Sequence, residues 1–316
     1  MPRHKSSSEL ENGDAFRESH DRSAITPALF SRFQNLIYQE SGIWLGEHKH
    51  ALLTGRLAKR LRLLGLNSMQ EYFQLVTHPD QQHERAVMID CITTNQTHFF
   101  REPRHFDFLA QEVFPRWQRE AANAERPARI RAWSAGCSSG EEPYSLAMIL
   151  LRHFPAERGW DVEVLASDIC TRVLERARGA VYAIEKAKEI PPEFLHACML
   201  KGRGDQKGMM KVNPDVHRLV RFARVNLHAD SYPILGSFDL IFCRNVLIYF
   251  DQRSKQKVIA GILRHLCPSG LLFVGHSEHL GTVSPNLKTV APTVYSVTPP
   301  KHSEVEEMRA AASTSL

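Results

Sequence analysis

The sequence predicts an α/β protein, in which a small helical bundle is followed by a doubly wound parallel sheet that carries an insertion. Apolar residues recur at helical spacing from about residue 26 to residue 95. After Ala128, short strand-like runs alternate with helical stretches, which is typical of parallel strands joined by crossover helices. This alternation breaks between Ala180 and Val220, so we expect an inserted segment there.

Length and composition exclude several classes of protein. The chain has 316 residues, of which 43% are hydrophobic and 24% charged, so it is not disordered, collagen-like or a small disulfide-stapled protein. Its longest apolar run, near residues 146–151, is far shorter than the roughly 20 residues that cross a bilayer. No hydrophobic stretch follows the N-terminal basic residues. We therefore expect a soluble cytoplasmic protein with no membrane insertion.

The cysteines and the net charge give weaker indications. The six cysteines form no C-x-x-C pair, which favours free thiols over disulfides or a metal site. The net charge of +5 indicates an acidic partner without identifying it.

Helix signals place the first domain at residues 25–95, between a polar tail at 1–24 and the remainder of the chain. Thr26 and Pro27 predict the start of a helix that ends near Ser41 and Gly42. A second helix follows from an apolar stripe at Leu53, Leu57, Leu61 and Leu64. A third is predicted by a capping box, Ser68 with Glu71.

The second domain, residues 96–298, contains the predicted sheet, and a further polar tail covers 299–316. The expected strands are residues 129–136, 161–168, 220–227, 238–245 and 271–277, with helices at 143–154, 171–180 and 252–266. The run 287–297 predicts one antiparallel edge strand. The insertion spans about 181–219.

A small-residue turn, Gly136 to Gly140, joins the first predicted strand to its helix. Glycines there allow a ligand to approach the backbone, but the full G-x-G-x-x-G motif is absent. Glu141 and Glu142 begin the helix; they would repel a pyrophosphate but suit a positively charged ligand or ribose hydroxyls. Alternatively, these acids only complement the helix dipole.

Further polar residues end the later strands. Asp168 follows the second strand, where an acid that binds ribose hydroxyls is expected, although it is also placed to cap the next helix. Asn226, Arg244 and Asn245 end two other strands. Ligands of open α/β sheets bind at this carboxyl edge.

The same turn also matches the G-x-S-x-G nucleophile elbow of hydrolases. A hydrolase sheet needs several strands before its elbow, whereas the preceding sequence is helical, so we disfavour this alternative. His276, Ser277 and Glu278 are consecutive and cannot converge as a triad, which favours a loop. The run from Thr93 to Pro103 has two alternatives, a ligand-binding segment or an ordinary turn with Phe99 and Phe100 packed inward.

These residues resemble the chemotaxis receptor methyltransferases of the CheR type from about residue 28 to residue 296. The resemblance rests on residues 94–101 (TNQTHFFR), 133–145 (WSAGCSSGEEPYS), 166–168 (ASD), 238–250 (FDLIFCRNVLIYF) and 275–278 (GHSE). It implies a helical receptor-binding domain and a Rossmann-like class I methyltransferase domain with a small antiparallel β insertion. The implied reaction uses S-adenosyl-L-methionine (SAM) to methylate glutamates on the cytoplasmic helices of chemoreceptors, giving methyl esters and S-adenosyl-L-homocysteine (SAH) for sensory adaptation.

The resemblance also implies site residues. The cofactor contacts would be Asn95, Thr97, Arg101, Glu141, Asp168, Asn226, Leu227, Arg244 and Asn245. Tyr249 matches a tyrosine near the reacting methyl group. Our hypothesis is that Arg244 and Tyr249 hold the incoming carboxylate while Arg101 closes over the cofactor. A carboxylate is already ionised at pH 7, so no general base is needed.

Two surfaces are candidates for receptor contact. Arg56, Lys59 and Arg60 share one face of the second helix, either to bind an acidic receptor helix or as an ordinary solvated surface. The glycines at 202, 204 and 208 have a spacing seen in relatives whose insertion captures a receptor's C-terminal peptide, or they simply form a hairpin loop. Lys201 stands where relatives often carry arginine, and lysine keeps the positive charge but lacks the bidentate fork.

Two other functions compete with the receptor methyltransferase. A SAM-binding scaffold without catalytic activity is disfavoured, because the positions that match the family's motifs retain their functional residues. A nucleic-acid methyltransferase is disfavoured because the fourth strand ends in CRNVLIYF, not in the acidic-Pro-Pro-aromatic run of amino-methylating enzymes. We therefore expect no nucleic-acid partner.

Overall fold

The computed structural model describes residues 25–281, 283 and 287–297. The tails predicted at residues 1–24 and 299–316 lie outside the described residues. The chain divides into two compact units, the first ending at Thr94 and the second beginning at Asn95. No helix in the described part of the chain is long and apolar enough to span a membrane.

The first unit is helical, as the sequence predicts. Its helices are α1 (Pro27–Ser41), α2 (His50–Leu64), α3 (Met69–Thr77) and α4 (Gln82–Ile92). The buried core side chains of this unit include Phe30, Phe33, Tyr72, Phe73, Met88 and Ile89. The stripe predicted on α2 is one residue shorter than expected, because Leu53, Leu57 and Leu61 are buried whereas Leu64 lies at the exposed end of the helix.

Local capping explains where two of these helices begin and end. The Thr26 hydroxyl accepts a hydrogen bond from the Leu29 N–H at 3.2 Å, and Gly42 ends α1 in the left-handed region at φ 73°. The Ser68 hydroxyl accepts from the Glu71 N–H at 3.2 Å. The Glu71 carboxylate accepts a hydrogen bond from the Asn67 N–H at 3.0 Å. In a standard capping box it would accept from the N–H of the N-cap residue, Ser68, so this bond is shifted by one residue.

The second unit begins with a long irregular helix and continues into the wound sheet. The opening helix consists of α5 (Pro103–Phe108), a π-helical turn (Leu109–Val113) and α6 (Phe114–Ala122). The principal elements that follow are β1 (Arg129–Ala135), α7 (Glu141–His153), β2 (Asp161–Asp168), α8 (Thr171–Gly179), β6 (Val220–Arg224), β7 (Phe238–Cys243), α11 (Gln252–Leu263) and β8 (Leu266–Val274).

The sheet has seven strands in the order β6-β2-β1-β7-β8-β10-β9, in which β9 is Leu287–Ala291 and β10 is Val294–Val297. The strands from β6 to β8 are parallel, and the chain winds outward from β1 in both directions. The predicted doubly wound fold is therefore confirmed.

The prediction of a single closing strand is wrong. The run 287–297 forms two strands, β9 (Leu287–Ala291) and β10 (Val294–Val297), joined by a turn at Pro292 and Thr293. Thr293 has a φ of 60°, and proline has no N–H for a ladder, so the chain reverses at this point. Strand β10 pairs antiparallel with β8, and β9 forms the edge of the sheet.

The insertion forms the small antiparallel sheet that the resemblance implies. It contains β3 (Val181–Ala183), α9 (Pro192–Cys198), β4 (Met199–Lys201), β5 (Met209–Val212) and α10 (Pro214–His217). The strand order is β3-β5-β4, so both β3 and β4 are edge strands.

Both faces of the large sheet are covered, as a parallel sheet requires. Along β1, Ile130 and Ala132 belong to one apolar cluster, whereas Trp133 and Ala135 belong to the other. With both faces packed, the edge where the parallel strands end is left to carry the polar groups.

Candidate active site

Several of the side chains predicted to bind the cofactor lie where the parallel strands end. In the strand register, Ala135 of β1 pairs with Ser167 of β2, and Ser134 pairs with Phe242 of β7. The residues directly after these strands therefore lie side by side. This arrangement brings the glycine turn, Asp168 and Arg244 to one edge.

The turn after β1 has no space for larger residues. Gly136 has a φ of 87°, and a Cβ there would clash with Val246 Cγ2. Gly140 has a φ of 98°, and a Cβ there would lie 2.7 Å from the Tyr182 hydroxyl. Both conformation and close approach therefore require glycine at these two positions.

Asp168 connects the end of β2 to this turn. One carboxylate oxygen accepts a hydrogen bond from the Ser138 N–H at 2.9 Å, and the other accepts from the Cys170 N–H at 2.9 Å. The carboxylate is buried at the edge. Asp168 thus organises the backbone on either side of it, and it is not the N-cap of α8, which is Cys170.

Glu141 and Glu142 are adjacent and both buried, but they bind different partners. Glu141 Oε1 lies 2.9 Å from Lys186 Nζ, and Glu141 Oε2 accepts from the Ser139 hydroxyl at 2.7 Å. Glu142 Oε1 accepts from the Ser134 hydroxyl at 2.6 Å, and its Oε2 accepts from Arg244 Nε at 2.8 Å. Acids that only complement a helix dipole need no specific hydrogen-bond partners. Glu141 and Glu142 have such partners, so they do more than complement the dipole.

Arg244 is buried, and its side chain is only 1% exposed. In addition to its bond with Glu142, its Nη1 donates to the Arg101 carbonyl at 2.6 Å and lies 3.3 Å from His105 Nδ1. The guanidinium also stacks over Phe242, with 5.2 Å between Cζ and the ring centre. This geometry does not support our hypothesis that Arg244 holds an incoming carboxylate, because an acid of the protein already pairs with it. The contacts of Arg244 instead favour a role in positioning Glu142 and the backbone at Arg101.

His105 belongs to the same buried group, and the sequence reasoning missed it. Its Nε2 lies 2.8 Å from the Thr293 hydroxyl. Burial, together with the charges of Arg244 and His276, lowers the pKa of His105 to about 3. The ring is therefore neutral, with Nδ1 as acceptor for Arg244 and Nε2–H as donor to Thr293. Its position on the first turn of α5, just after the 94–101 motif, was the available signal.

The segment before α5 packs inward, as one of its two alternatives predicts, and it also contacts the turn after β1, whereas ligand binding by this segment stays a prediction. Phe99 and Phe100 are buried. The Phe100 N–H donates to the Ser145 hydroxyl at 2.9 Å, and the Asn95 carbonyl accepts from the Ser138 hydroxyl at 2.8 Å. Arg101, which is partly exposed, lies between two residues with left-handed φ, Phe100 at 48° and Glu102 at 57°.

The nearby polar groups of this segment hold it to the insertion. Lys186 Nζ lies 3.4 Å from the Thr97 carbonyl, and the Glu189 carboxylate accepts from the Phe99 N–H at 3.0 Å. Arg101 Nη1 donates to the Gln96 carbonyl at 3.3 Å. Thr97, Arg101 and Glu141 are therefore connected through Lys186 and the local backbone.

The segment after β7 carries Asn245 and Tyr249. Asn245 has a left-handed φ of 58°. Its Oδ1 is buried and has no hydrogen-bond partner within the described residues. Tyr249 lies partly buried in a 3₁₀ turn, Leu247–Tyr249, next to Ile248, which is 50% exposed.

Two of the predicted cofactor residues follow β6. The Asn226 side chain accepts from the His228 N–H at 3.0 Å. Leu227 is buried, and its carbonyl accepts from the Tyr232 hydroxyl at 2.7 Å. The Val225 N–H donates to the Asp168 carbonyl at 3.1 Å, which keeps this segment beside the end of β2.

These groups fit a nucleoside that carries a cationic amino acid. Glu141 and Asp168 supply carboxylates, and the turn at Gly136 and Gly140 allows close approach. The orphaned Asn245 Oδ1 is a buried acceptor that a ligand N–H or O–H would satisfy. The fold and this edge define a class I SAM-dependent methyltransferase.

Comparison with known proteins identifies the family. The model described as "CheR methyltransferase, SAM binding domain" matches residues 95–296, and "CheR methyltransferase, all-alpha domain" matches residues 28–93. The chain belongs to the CheR methyltransferase family, and SAM is its cofactor.

Curated relatives agree with this assignment. The chemotaxis protein methyltransferase of Escherichia coli K12 is 41% identical over 260 residues, which cover 82% of this chain and 87% of the relative. That of Klebsiella aerogenes is 37% identical and covers 90% of this chain and 94% of its own. Chemotaxis protein methyltransferase 2 of Pseudomonas aeruginosa is 40% identical, with 79% and 86% covered.

The basic residues predicted to bind receptor lie in the first unit, and two of the three have partners within it. Arg60 Nε donates to Glu84 Oε1 at 2.8 Å, and the Tyr72 hydroxyl donates to the same carboxylate at 2.9 Å. Arg56 donates to the Ile92 carbonyl and, at 2.8 Å, to the Thr94 hydroxyl. Lys59 is exposed. The three side chains therefore do not form one uniformly free basic face.

A fall in pH should lower the stability of the folded protein, because His105 takes up a proton more readily in the unfolded state than in the folded state. The unfolded histidine takes up a proton as the pH falls below 6.5, whereas the folded one resists it down to about 3, so stability is lost across that window as the pH falls. Between pH 7.5 and pH 5 the loss of unfolding free energy from this group should be about 2 kcal/mol.

This loss can be measured by denaturant unfolding of wild type, His105→Gln and His98→Gln at both pH values. His105→Gln should show a smaller pH dependence than wild type, and His98→Gln, at an exposed histidine, should match wild type. Equal losses in all three proteins would contradict the assignment.

Proposed function

We propose that this protein transfers the methyl group of SAM to glutamate side chains on the cytoplasmic helices of chemoreceptors. The products are glutamyl 5-O-methyl esters and SAH, and the reaction serves sensory adaptation. In this proposal residues 25–95 bind receptor and residues 96–298 carry the chemistry. Because the substrate helices are cytoplasmic, the enzyme acts in the cytoplasm and is recruited to receptor clusters.

The observation that carries the proposal is the polar edge itself, which holds buried acids, an orphaned amide oxygen and a tyrosine, and whose buried histidine, His105, has hydrogen-bond partners at both ring nitrogens. His105 is a very weak base because its pKa is about 3. A glutamate carboxylate needs no base, since it is ionised at pH 7. The acceptor class that best suits such an edge is therefore a carboxylate, in agreement with the chemotaxis names of the relatives.

The reaction is a direct displacement. A carboxylate oxygen forms a bond to the methyl carbon while the bond between carbon and sulfur breaks, and the electron pair of that bond goes to sulfur. No proton moves. Holding the two reactants in line contributes about 7–11 kcal/mol, so orientation is the main requirement.

The proposed roles come from the resemblance and are supported by the polar groups at the carboxyl edge. Asp168 binds the ribose hydroxyls, Glu141 faces the cofactor ammonium, and Asn245 offers its free Oδ1. The remaining proposed cofactor contacts are Asn95, Thr97, Arg101, Asn226 and Leu227, while Arg244, which the resemblance also places among them, is proposed to position its neighbours through its pair with Glu142. Tyr249 lies near the methyl group and orients the incoming carboxylate.

Removal of the Tyr249 hydroxyl should slow methyl transfer. With methyl-labelled SAM and receptor fragments, Tyr249→Phe should lower the single-turnover rate about tenfold or more while SAH affinity stays near that of wild type, because a hydrogen bond to a charged group is worth about 1.5–3 kcal/mol. Base treatment of the product should release labelled methanol, as an ester does and an N-methyl group does not. Base-stable label, or label on duplex DNA instead of receptor, would refute the proposal.

Lys59 offers the cleanest test of the receptor surface, because charge reversal at Arg60 would also leave Glu84 without its ion pair. Lys59→Glu should lower kcat/KM for receptor severalfold at low salt, and the difference should shrink at high salt as the charges are screened. Arg119→Glu, at an exposed position of α6, is the matched control and should leave kcat/KM unchanged. Equal effects of the two substitutions would exclude a specific basic surface.

The insertion is proposed to bind a receptor C-terminal peptide by strand addition. Supporting features are the edge strand β4 and its Leu200, which is 48% exposed. Gly204 and Gly208 have positive φ and shape the loop between β4 and β5, so their spacing also has a structural cause. Titration calorimetry with an aromatic-containing peptide should show binding, and Leu200→Asp should weaken it. Absence of binding heat with the wild-type protein would refute this proposal.

A further inference from the structure

Glu278 occupies a buried position at the edge of the large sheet, and neither the resemblance nor the reaction assigns it a role. It lies in the turn after β8, where the Glu278 N–H donates to the Gly275 carbonyl at 2.8 Å. The residue is only 5% exposed. A buried carboxylate is costly unless its oxygens are hydrogen-bonded, so its partners indicate what it does.

The partners of Glu278 are backbone N–H groups of two separate segments. Its Oε2 accepts from the Gly275 N–H at 2.7 Å and from the Asn245 N–H at 2.8 Å. Its Oε1 accepts from the Ile248 N–H at 3.2 Å. The carboxylate thus joins the turn after β8 to the segment after β7. Charge-assisted bonds of this kind are stronger than bonds between neutral groups.

The segment that Glu278 holds is the one that carries Asn245 and Tyr249. Asn245 adopts a left-handed φ of 58°, which costs a non-glycine residue energy unless neighbouring contacts enforce it. The bond from its N–H to Glu278 is such a contact. Ile248, which also donates to the carboxylate, directly precedes Tyr249 in the 3₁₀ turn.

The space around Gly275 gives independent support. A Cβ on Gly275 would lie 2.6 Å from Asn245 Nδ2 and 2.8 Å from Glu278 Oε2. Gly275 has no positive φ, so glycine is needed there for space and not for conformation. The turn after β8 is therefore packed directly against the Asn245 side chain.

A general-base role for Glu278 is disfavoured. Burial raises the pKa of Glu278, while bonds from the Gly275, Asn245, Ile248 and Leu247 N–H groups oppose that shift. A base must reach the proton that it removes, but both oxygens of this carboxylate face backbone donors. Glu278 therefore acts through the segment that it binds.

We propose that Glu278 is a positioning residue for methyl transfer: by accepting N–H groups on both sides, it fixes residues 245–249 so that Asn245 meets the cofactor and Tyr249 meets the acceptor carboxylate. The inference rests on the proposed function and adds a residue to its machinery. Tyr249 and Asn245 touch the reacting molecules, whereas Glu278 does not.

The test uses the full chain with Glu278→Gln, which keeps the shape but replaces one acceptor oxygen by an N–H donor. The matched control is Asp239→Asn. Asp239 Oδ2 also accepts a backbone N–H, that of Arg131 at 2.8 Å, but it lies near the start of β7, away from the site. Glu278→Gln should lower kcat at least tenfold and raise the KM for SAM, and it should leave the KM for receptor within twofold.

Hydrogen exchange provides a readout independent of catalysis. In Glu278→Gln, the amides of residues 245–249 should exchange at least tenfold faster than in wild type, with exchange in β1 unchanged. Asp239→Asn should show neither this acceleration nor the loss of kcat, even if its melting temperature falls. If Glu278→Gln does not fold, Gly275→Ala is measured in the same way, since its Cβ displaces the same groups.

The outcomes separate the two claims. If wild type methylates receptor glutamates but the folded variant matches its kcat, or residues 245–249 keep their slow exchange, the role of Glu278 is refuted and the proposed function stands. If wild type forms no glutamyl ester, the proposed function fails, and with it the inference.

Discussion

The site depends above all on the buried ion pair between Arg244 and Glu142. These two residues come from the end of β7 and the start of α7, and the same guanidinium donates to the Arg101 carbonyl in the segment before α5. Three separate parts of the chain are thus joined by one side chain. Removing one partner of such a buried pair costs about 3–5 kcal/mol, because the remaining charge has no water to solvate it. The pair therefore sets the relative positions of the groups around the cofactor.

The edge of the sheet uses most of its charges for organisation and few for direct chemistry. Asp168 orders the turn after β1, Glu278 orders the segment after β7, and Glu142 holds Arg244. This division suits a displacement reaction, in which the acceptor and the methyl donor supply the reactivity themselves. What remains for the protein is to exclude water and to align the two reactants.

Much of the architecture was predictable because it depends on local patterns. The helix start at Thr26 and Pro27, the glycine turn after β1 and the alternation of strands with helices each follow from neighbouring residues. The closing hairpin was not predicted, because its reversal at Pro292 and Thr293 lies inside one continuous strand-like run. His105 was missed for a related reason: its partner Thr293 is 188 residues away in sequence.

The sequence by itself indicated the fold class through its periodicity, the family through the resemblance of its motifs, and several polar residues at the carboxyl edge, but not His105 or Glu278. Only the tertiary structure decided what each charged side chain does. Arg244 changed from a candidate ligand for the substrate into the partner of Glu142, and Arg60 was found paired with Glu84. The physical reason is that the behaviour of a charge depends on its burial and its nearest opposite charge, and both are set by contacts between residues far apart in the chain.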